Sequence, residues 1–373
     1  MFWPQFLRAI NFRWATPPLA TLSLAPTADE CTWFPGARLN IACCALDGGA
    51  PDAPAIVSAV EGSPTTLHTM TYAQLRTRAM CFAAALSTLV QPGTRCAIIM
   101  PMTPDAVVAF LGVLLARCVM VGIAESFAAP EIAARLALVD TGLVITQDVM
   151  TRGGKSIPLY QRIVQANAPT TVVSAASPVD LRPGDVLLHD LLVRADSQQH
   201  TLQNPTCDAE DCTMIMFSSG TTGQPKAIPW SHVSPLKAAL DAWAHHDVRP
   251  GDVVAWPTSL GWVMGPWLVY ASLLNGACMA LFDGAPLGRA FGEFVVRARV
   301  TMLGLVPSIV KAWRASDCMA GLVRWCCSVH LSSSSQHWSP SHCGNPCAAS
   351  APRGRRRPPR TTTGSWHWLA TAP

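Results

Sequence analysis

Residues 217–232 read FSSGTTGQPKAIPWSH, and the part from Phe217 to Lys226 decides how the rest of the chain is read. The apolar run Cys212–Phe217 that leads into it predicts a buried strand. Gly220 and Gly223 let the backbone bend and come close to a ligand. Successive backbone N–H groups in such a turn form a nest for anions. Ser218, Ser219, Thr221 and Thr222 surround Gly220 with hydroxyls, Gln224 and Pro225 add no charge, and Lys226 adds a full positive charge. Many short donors, one cation and little side-chain bulk suit a pyrophosphate group.

The spacing differs from the G-x-x-x-x-G-K-[ST] phosphate loop. Here the glycines stand as G-x-x-G, and Ala227 follows the lysine. A solvated Ser/Thr/Gly linker is the bland alternative. The buried strand before the loop weighs against it. So does the scarcity of lysine: Lys155, Lys226, Lys237 and Lys311 are the four in the chain.

Outward from the loop, short apolar runs alternate with longer helical patterns over residues 70–320. Thr71 and Gln74 form a capping box that starts a helix running to about Val90. Cys96–Met100 reads as a buried strand. Thr103 can cap the next helix, with Pro104 at its first position and Asp105 favourable to its dipole. Pro130 opens a further helix, Leu143–Thr146 is the following strand, Ser234-Pro235 starts a helix, and Val253–Trp256 is a strand. Strands alternating with helices predict βαβ units and a mainly parallel sheet covered on both faces. The polar run 203–211 suggests a division of the chain into an extension over 1–30, a first α/β subdomain over 31–205, a second over 206–320 that holds the loop, and an irregular basic tail over 321–373.

Half of the residues are hydrophobic and 13% are charged, below the usual quarter. The net charge of +4 is unevenly placed. Six arginines and no acid follow Asp317, which leaves the residues before them at −2. The 14 cysteines show no metal-type spacing, so buried, reduced thiols in an intracellular protein are expected. Val253–Phe282 carries no charge, as a membrane span would. Its prolines and glycines favour a buried strand–loop–helix segment, so membrane association is the lesser alternative. Residues Trp3, Phe6, Leu7, Ile10 and Trp14 share one helical face, which suits an organelle transit segment or an amphipathic helix docked on the domain. In the tail, Cys326, Cys327, His330, His337, His342, Cys343 and Cys347 match no zinc pattern. No metal site is expected. The basic run 353–360 is read as solvated, and no nucleic acid partner is expected.

The 217–232 stretch resembles the AMP-binding signature of the adenylate-forming superfamily, which includes acyl-CoA synthetases. Thr71–Leu75 (TYAQL) resembles an early element of that family, and Gly112–Ile123 resembles its helix-to-strand passage. Thr32–Leu39, Thr258–Leu274 and Leu305–Trp313 resemble a plant-type acyl-activating subgroup related to acetyl-CoA synthetase. The resemblance implies the large α/β core of an adenylate-forming enzyme. It also implies ATP, Mg²⁺ and coenzyme A as cofactors and a small or medium carboxylic acid as substrate. By that resemblance Thr221, Thr222 and Lys226 hold the leaving pyrophosphate, with Thr222 and Lys226 catalytic. Trp262 beside Gly265 is the candidate wall of the acyl pocket, with a plain core tryptophan as its alternative.

The resemblance also implies parts that these 373 residues do not spell. These are a Tyr-Gly-x-Thr-Glu-like segment, a ribose-binding aspartate and a lid domain with a catalytic lysine. The expectation is therefore a truncated chain with little ligase activity, its tail read from a shifted frame or an intron. A catalytically inactive nucleotide- or acyl-binding fragment is the alternative. Localisation is expected to be cytoplasmic or organellar, and the oligomeric state is left open.

Overall fold

The computed structural model describes residues 2–27, 30–197, 205–218 and 224–322. Residues 1–319 cluster as one unit. Its largest sheet has seven strands in the order Val186–Leu187, Thr171–Ser174, Leu143–Gln147, Arg95–Ile99, Val119–Gly122, Cys212–Ser218, Lys226–Ser231. All neighbours are parallel except the last pair, an antiparallel hairpin. A second sheet has five strands in the order Met302–Leu303, Val253–Ala255, Cys278–Asp283, Pro54–Val60, Ser63–Thr71. Here too only the last pair is antiparallel.

Alternation along the strands explains how both sheets are covered. In the large sheet Cys96, Ile98, Met120, Ile145, Met214 and Met216 face one apolar core, while Ala97, Ile99, Val121, Val144 and Ile215 face another. In the second sheet Val254, Met279 and Leu281 turn to that same first core, while Ala255, Cys278 and Ala280 turn to a third. The first core therefore lies between the sheets. It holds the helices Tyr72–Leu86, Pro104–Leu115, Pro235–His245 and Met264–Leu273. Such parallel strands, buried on both faces, must read as nearly continuous apolar runs.

The caps act as their residue types require. Thr71 accepts from Gln74 N and Gln74 answers on Thr71 N, which starts Tyr72–Leu86. That helix stops at Leu86, short of the expected Val90. Past it the backbone tightens, with Thr88 N on the Ala85 carbonyl and Leu89 N on the Leu86 carbonyl, while the Ser87 and Thr88 hydroxyls donate second bonds to the Ala83 and Ala85 carbonyls. Thr103 caps Pro104–Leu115, which is buried continuously from Ala106 to Leu115.

The strand order runs across the division at 205/206. Each sheet takes strands from both sides of it. The uncharged stretch 253–282 folds as strand, helix and strand, and among the described residues no helix is long and apolar enough to cross a membrane. Phe2–Ala9 packs on the domain through buried Phe6 and Leu7, with the Phe6 ring 5.8 Å from Trp243. The ten described cysteines are free thiols. Residues 323–373 lie outside the described residues, and with them the tail read as irregular, the cysteines and histidines weighed as zinc ligands, and the basic run.

Candidate functional site

The loop read from the sequence falls between the two strands that pair at the edge of the large sheet, Cys212–Ser218 and Lys226–Ser231. Ser218 and Lys226 are register partners at its stem. Met214, Ile215 and Met216 behind them are buried, which anchors the stem in the core. Ser219, Gly220, Thr221, Thr222 and Gly223 lie outside the described residues. Gln224 is exposed, Pro225 and Ser218 are half-buried, and Lys226 is exposed. The Lys226 ammonium makes no hydrogen bond or ion pair among the described residues. A lysine held at a strand end without a carboxylate partner is available to an anion.

The segment that carries Trp262 lies over the same end of the sheet. Gly122 closes the strand beside Met216, and a Cβ there would stand 2.5 Å from the Leu260 carbonyl oxygen and 2.8 Å from Met216 Sδ. A Cβ on Gly261 would come within 2.1 Å of Ala124 N. Neither position has room for a side chain, so residues 260–261 rest directly on backbone 122–124. Gly265 is similar: its Cβ would stand 2.1 Å from the Ser259 carbonyl oxygen. There the first turn of Met264–Leu273 folds back on Ser259, which accepts from Trp262 N at 3.1 Å. Trp262 itself is 50% exposed. A tryptophan so exposed is not part of the core.

Two residues that sequence reasoning passed over join these parts. The Phe127 ring lies 5.6 Å from Trp262, and the Arg135 guanidinium sits 3.9 Å over Phe127 and 5.9 Å from Phe217. Phe217 is the residue before Ser218. Arg135 comes from Ala129–Leu138 and donates to the Glu131 carbonyl at 2.9 Å, but its buried Nε finds no acceptor among the described residues. Burial lowers its pKa from the usual arginine value, against the pull of Glu131. On the sequence, Glu131 and Arg135 look like an ordinary i,i+4 surface pair, so no local signal marks the arginine.

Acidic groups gather at neighbouring strand ends. Glu125 is buried, with Oε1 3.3 Å from Arg152 and Oε2 without a partner among the described residues. Burial pushes the Asp283 carboxyl up, Arg152 opposes this, and Glu61 and Glu125 add to it. Glu61 accepts from Gly153 N at 2.9 Å and Ala285 N at 3.1 Å, tying the hairpin Val149–Arg152/Lys155–Pro158 to the second sheet. Among the described residues no group of three or more His, Cys, Asp or Glu could hold a metal ion. A cavity of about 350 Å³ opens at the opposite, N-terminal ends of strands Val119–Gly122 and Cys212–Ser218, lined by Arg117, Cys118, Cys207 and His232 among others.

Comparison with known proteins adds independent findings. A family model described as "AMP-binding enzyme" matches residues 47–353. The chain is 43% identical over 335 residues to "Probable acyl-activating enzyme 18, peroxisomal" of Arabidopsis thaliana, covering 86% of this chain and 46% of that protein. It is 47% identical over 301 residues to "Hexanoyl-CoA synthase" of Cannabis sativa, covering 78% and 42%. Among solved structures, acetoacetyl-CoA synthetase from Streptomyces lividans superimposes with a TM-score of 0.75 at 28% identity, over 85% of this chain and 50% of that one. The chain spans about half the length of the curated relatives it matches.

Proposed function

Because the chain belongs to the AMP-binding enzyme family, we propose that its core is the phosphate- and acid-binding part of an acyl-CoA synthetase. The reaction would join a carboxylate to the α-phosphorus of ATP, release pyrophosphate, and then pass the acyl group to the thiol of coenzyme A with loss of AMP. The observation that carries this reading is the unpartnered Lys226 at the hairpin stem, on the same sheet end as Trp262. Lys226, with Ser218 and the hydroxyls of Ser219, Thr221 and Thr222, would hold the β- and γ-phosphates. Gly220 and Gly223 would let the backbone approach them, with Gln224 and Pro225 completing the turn. Charge placed where the leaving pyrophosphate gathers its own is what such a transfer requires.

The residues present fit a nucleotide's phosphates. Mg²⁺ would come with those phosphates. Trp262 and the side-chain-free Gly265 would wall the acyl group. A medium-chain acid is the working substrate, in keeping with the hexanoyl-CoA synthase among the relatives. A peroxisomal setting is proposed from the names of two acyl-activating relatives.

A second reading, a binding fragment without turnover, is favoured by one observation. The chain spans about half the length of the curated relatives it matches. One experiment separates the two. Magnesium pyrophosphate should bind the full chain, and Lys226→Ala should weaken it by about 10- to 100-fold, the loss of one charge-assisted contact. ATP–pyrophosphate exchange by the same chain should stay near background. Robust exchange that Lys226→Ala abolishes would establish a working ligase instead, and binding unaffected by Lys226→Ala would remove the phosphate role.

A further inference from the structure

The cavity at the N-terminal ends of Val119–Gly122 and Cys212–Ser218 takes no part in the site described above. Cys212 opens the strand that ends at Ser218, the register partner of Lys226, so the lysine lies about 20 Å away along the strand. Leu114, Cys118, Val119, Cys207 and His232 line the interior, all of them buried. Arg117 and Asp211 stand exposed at the rim. With about 350 Å³ the cavity falls in the range of small-molecule sites, about 300–1,000 Å³.

His232 supplies the first element of recognition. Burial keeps its ring neutral. Its Nδ1 accepts from Ile41 N, so the proton of the imidazole sits on Nε2. That N–H has no acceptor among the described residues, and His232 borders the cavity. Buried N–H groups in folded proteins are almost always paired, so the acceptor for this one comes from the cavity. The rim adds two charges. Neither Arg117 nor Asp211 forms an ion pair among the described residues. Both act on the Cys207 thiol: burial pushes it up, Arg117 opposes this through a hydrogen bond and its charge, and Asp211 adds to it. Asp211 Oδ2 accepts from Asp208 N at 3.0 Å, which leaves Oδ1 to a ligand.

The charges decide the class of ligand. A plain anion is drawn by Arg117 and repelled by Asp211, and a plain cation meets the reverse. A molecule with both a carboxylate and an ammonium satisfies the two, and its carboxylate supplies the acceptor that His232 lacks. Because both rim charges act on one sulfur, the opposite charges of the ligand must lie close together, as they do on an α-amino acid. Leu114, Val119 and the buried thiols of Cys118 and Cys207 make an apolar floor for a short side chain. We propose that this cavity binds a small apolar α-amino acid, its carboxylate on Arg117 and His232 Nε2–H, its ammonium on Asp211 and its side chain on Leu114 and Val119. Lys226 and its phosphate role play no part in this.

Two thiols report occupancy and its control. Cys212 borders the cavity and is exposed, while Cys81 is exposed and does not border it. The full chain is alkylated with iodoacetamide and each thiol is followed by peptide mass spectrometry. The probes are leucine, 4-methylpentanoate, which lacks the ammonium, and 3-methylbutylamine, which lacks the carboxylate. Saturating leucine should slow alkylation of Cys212 about fivefold or more and leave Cys81 unchanged, and half-protection by either analogue should need about tenfold more compound. Asp211→Asn should remove the advantage of leucine over 4-methylpentanoate, and Arg117→Gln should weaken leucine about tenfold. Both positions are exposed, so both variants should fold. Calorimetry of leucine with wild type and Arg117→Gln reads the same loss without the thiol. No binding of leucine, equal protection by either analogue, or equal slowing at Cys81 overturns the assignment and leaves the pyrophosphate result for Lys226 as it stands.

Discussion

His232 ends the motif stretch and lies away from the loop, buried with 3% of its surface exposed. Its Nδ1 accepts from Ile41 N at 3.1 Å, which requires that nitrogen to be unprotonated. Burial lowers its pKa to about 4, with Asp211 opposing. The unfolded chain takes up a proton as pH falls through about 6.5, while the folded chain resists until about 4. Stability from this group is therefore full above about pH 6.5 and is lost between there and about pH 4, to the extent of about 3 kcal/mol. His232→Asn keeps an acceptor for Ile41 N and does not titrate. Denaturant midpoints of wild type and variant near about pH 7 and about pH 5 should show the wild type losing more on acidification. Equal losses would remove His232 as the cause. At this scale legibility was divided. Lys226 could be singled out as a candidate because lysine is scarce and the strand before it is apolar. Arg135 and Glu125 could not, because the rings and charges around them fold in from distant segments.

Helices with caps were legible, and edge strands were not. Thr71 with Gln74, and Thr103 with Pro104, are local signals that act within one turn. Lys226–Ser231 gave no such signal. It contains Pro229, which a strand tolerates at a sheet edge, and this strand is the edge of the large sheet. Its Ile228 is 44% exposed, so the apolar alternation that marks a strand is blurred. Ser63–Thr71 is likewise an edge, largely exposed and polar. Pro104–Leu115 is the opposite case, apolar all round because the core between the sheets encloses it. Phe110 lies at its centre, fully buried, with its ring 5.6 Å from Tyr270. Phe110→Ala should destabilise the protein by about 3–5 kcal/mol through lost burial and the cavity left behind. Chemical denaturation measures this, and a loss below about 1 kcal/mol would mean that the inter-sheet core can collapse around the gap.

At the scale of the whole chain, what matters most is which strands become neighbours, and this is what local patterns cannot show. The alternation of strand and helix predicted parallel sheets, and the two large sheets are parallel apart from one edge pair each. The polar run 203–211 looks like a boundary because polarity is a local property, whereas pairing is not. Met214 lies beside Met120 in one sheet, and Met279 beside Ile56 in the other. A fragment ending at 205 would lack Cys212–Ser218 and Lys226–Ser231 from the first sheet. It would also lack Val253–Ala255, Cys278–Asp283 and Met302–Leu303 from the second. Pro54–Val60 would keep its antiparallel partner and lose its parallel one, and Pro104–Leu115 would lose the cover of Met264–Leu273. Exposing that much apolar surface removes the main favourable term of folding. Residues 1–205 expressed alone should therefore show no cooperative unfolding transition and no fixed near-ultraviolet dichroism, whereas residues 1–319 should show both. A sharp two-state transition in the 1–205 fragment would mean that the first five parallel strands carry a core of their own, and that the later strands only extend it.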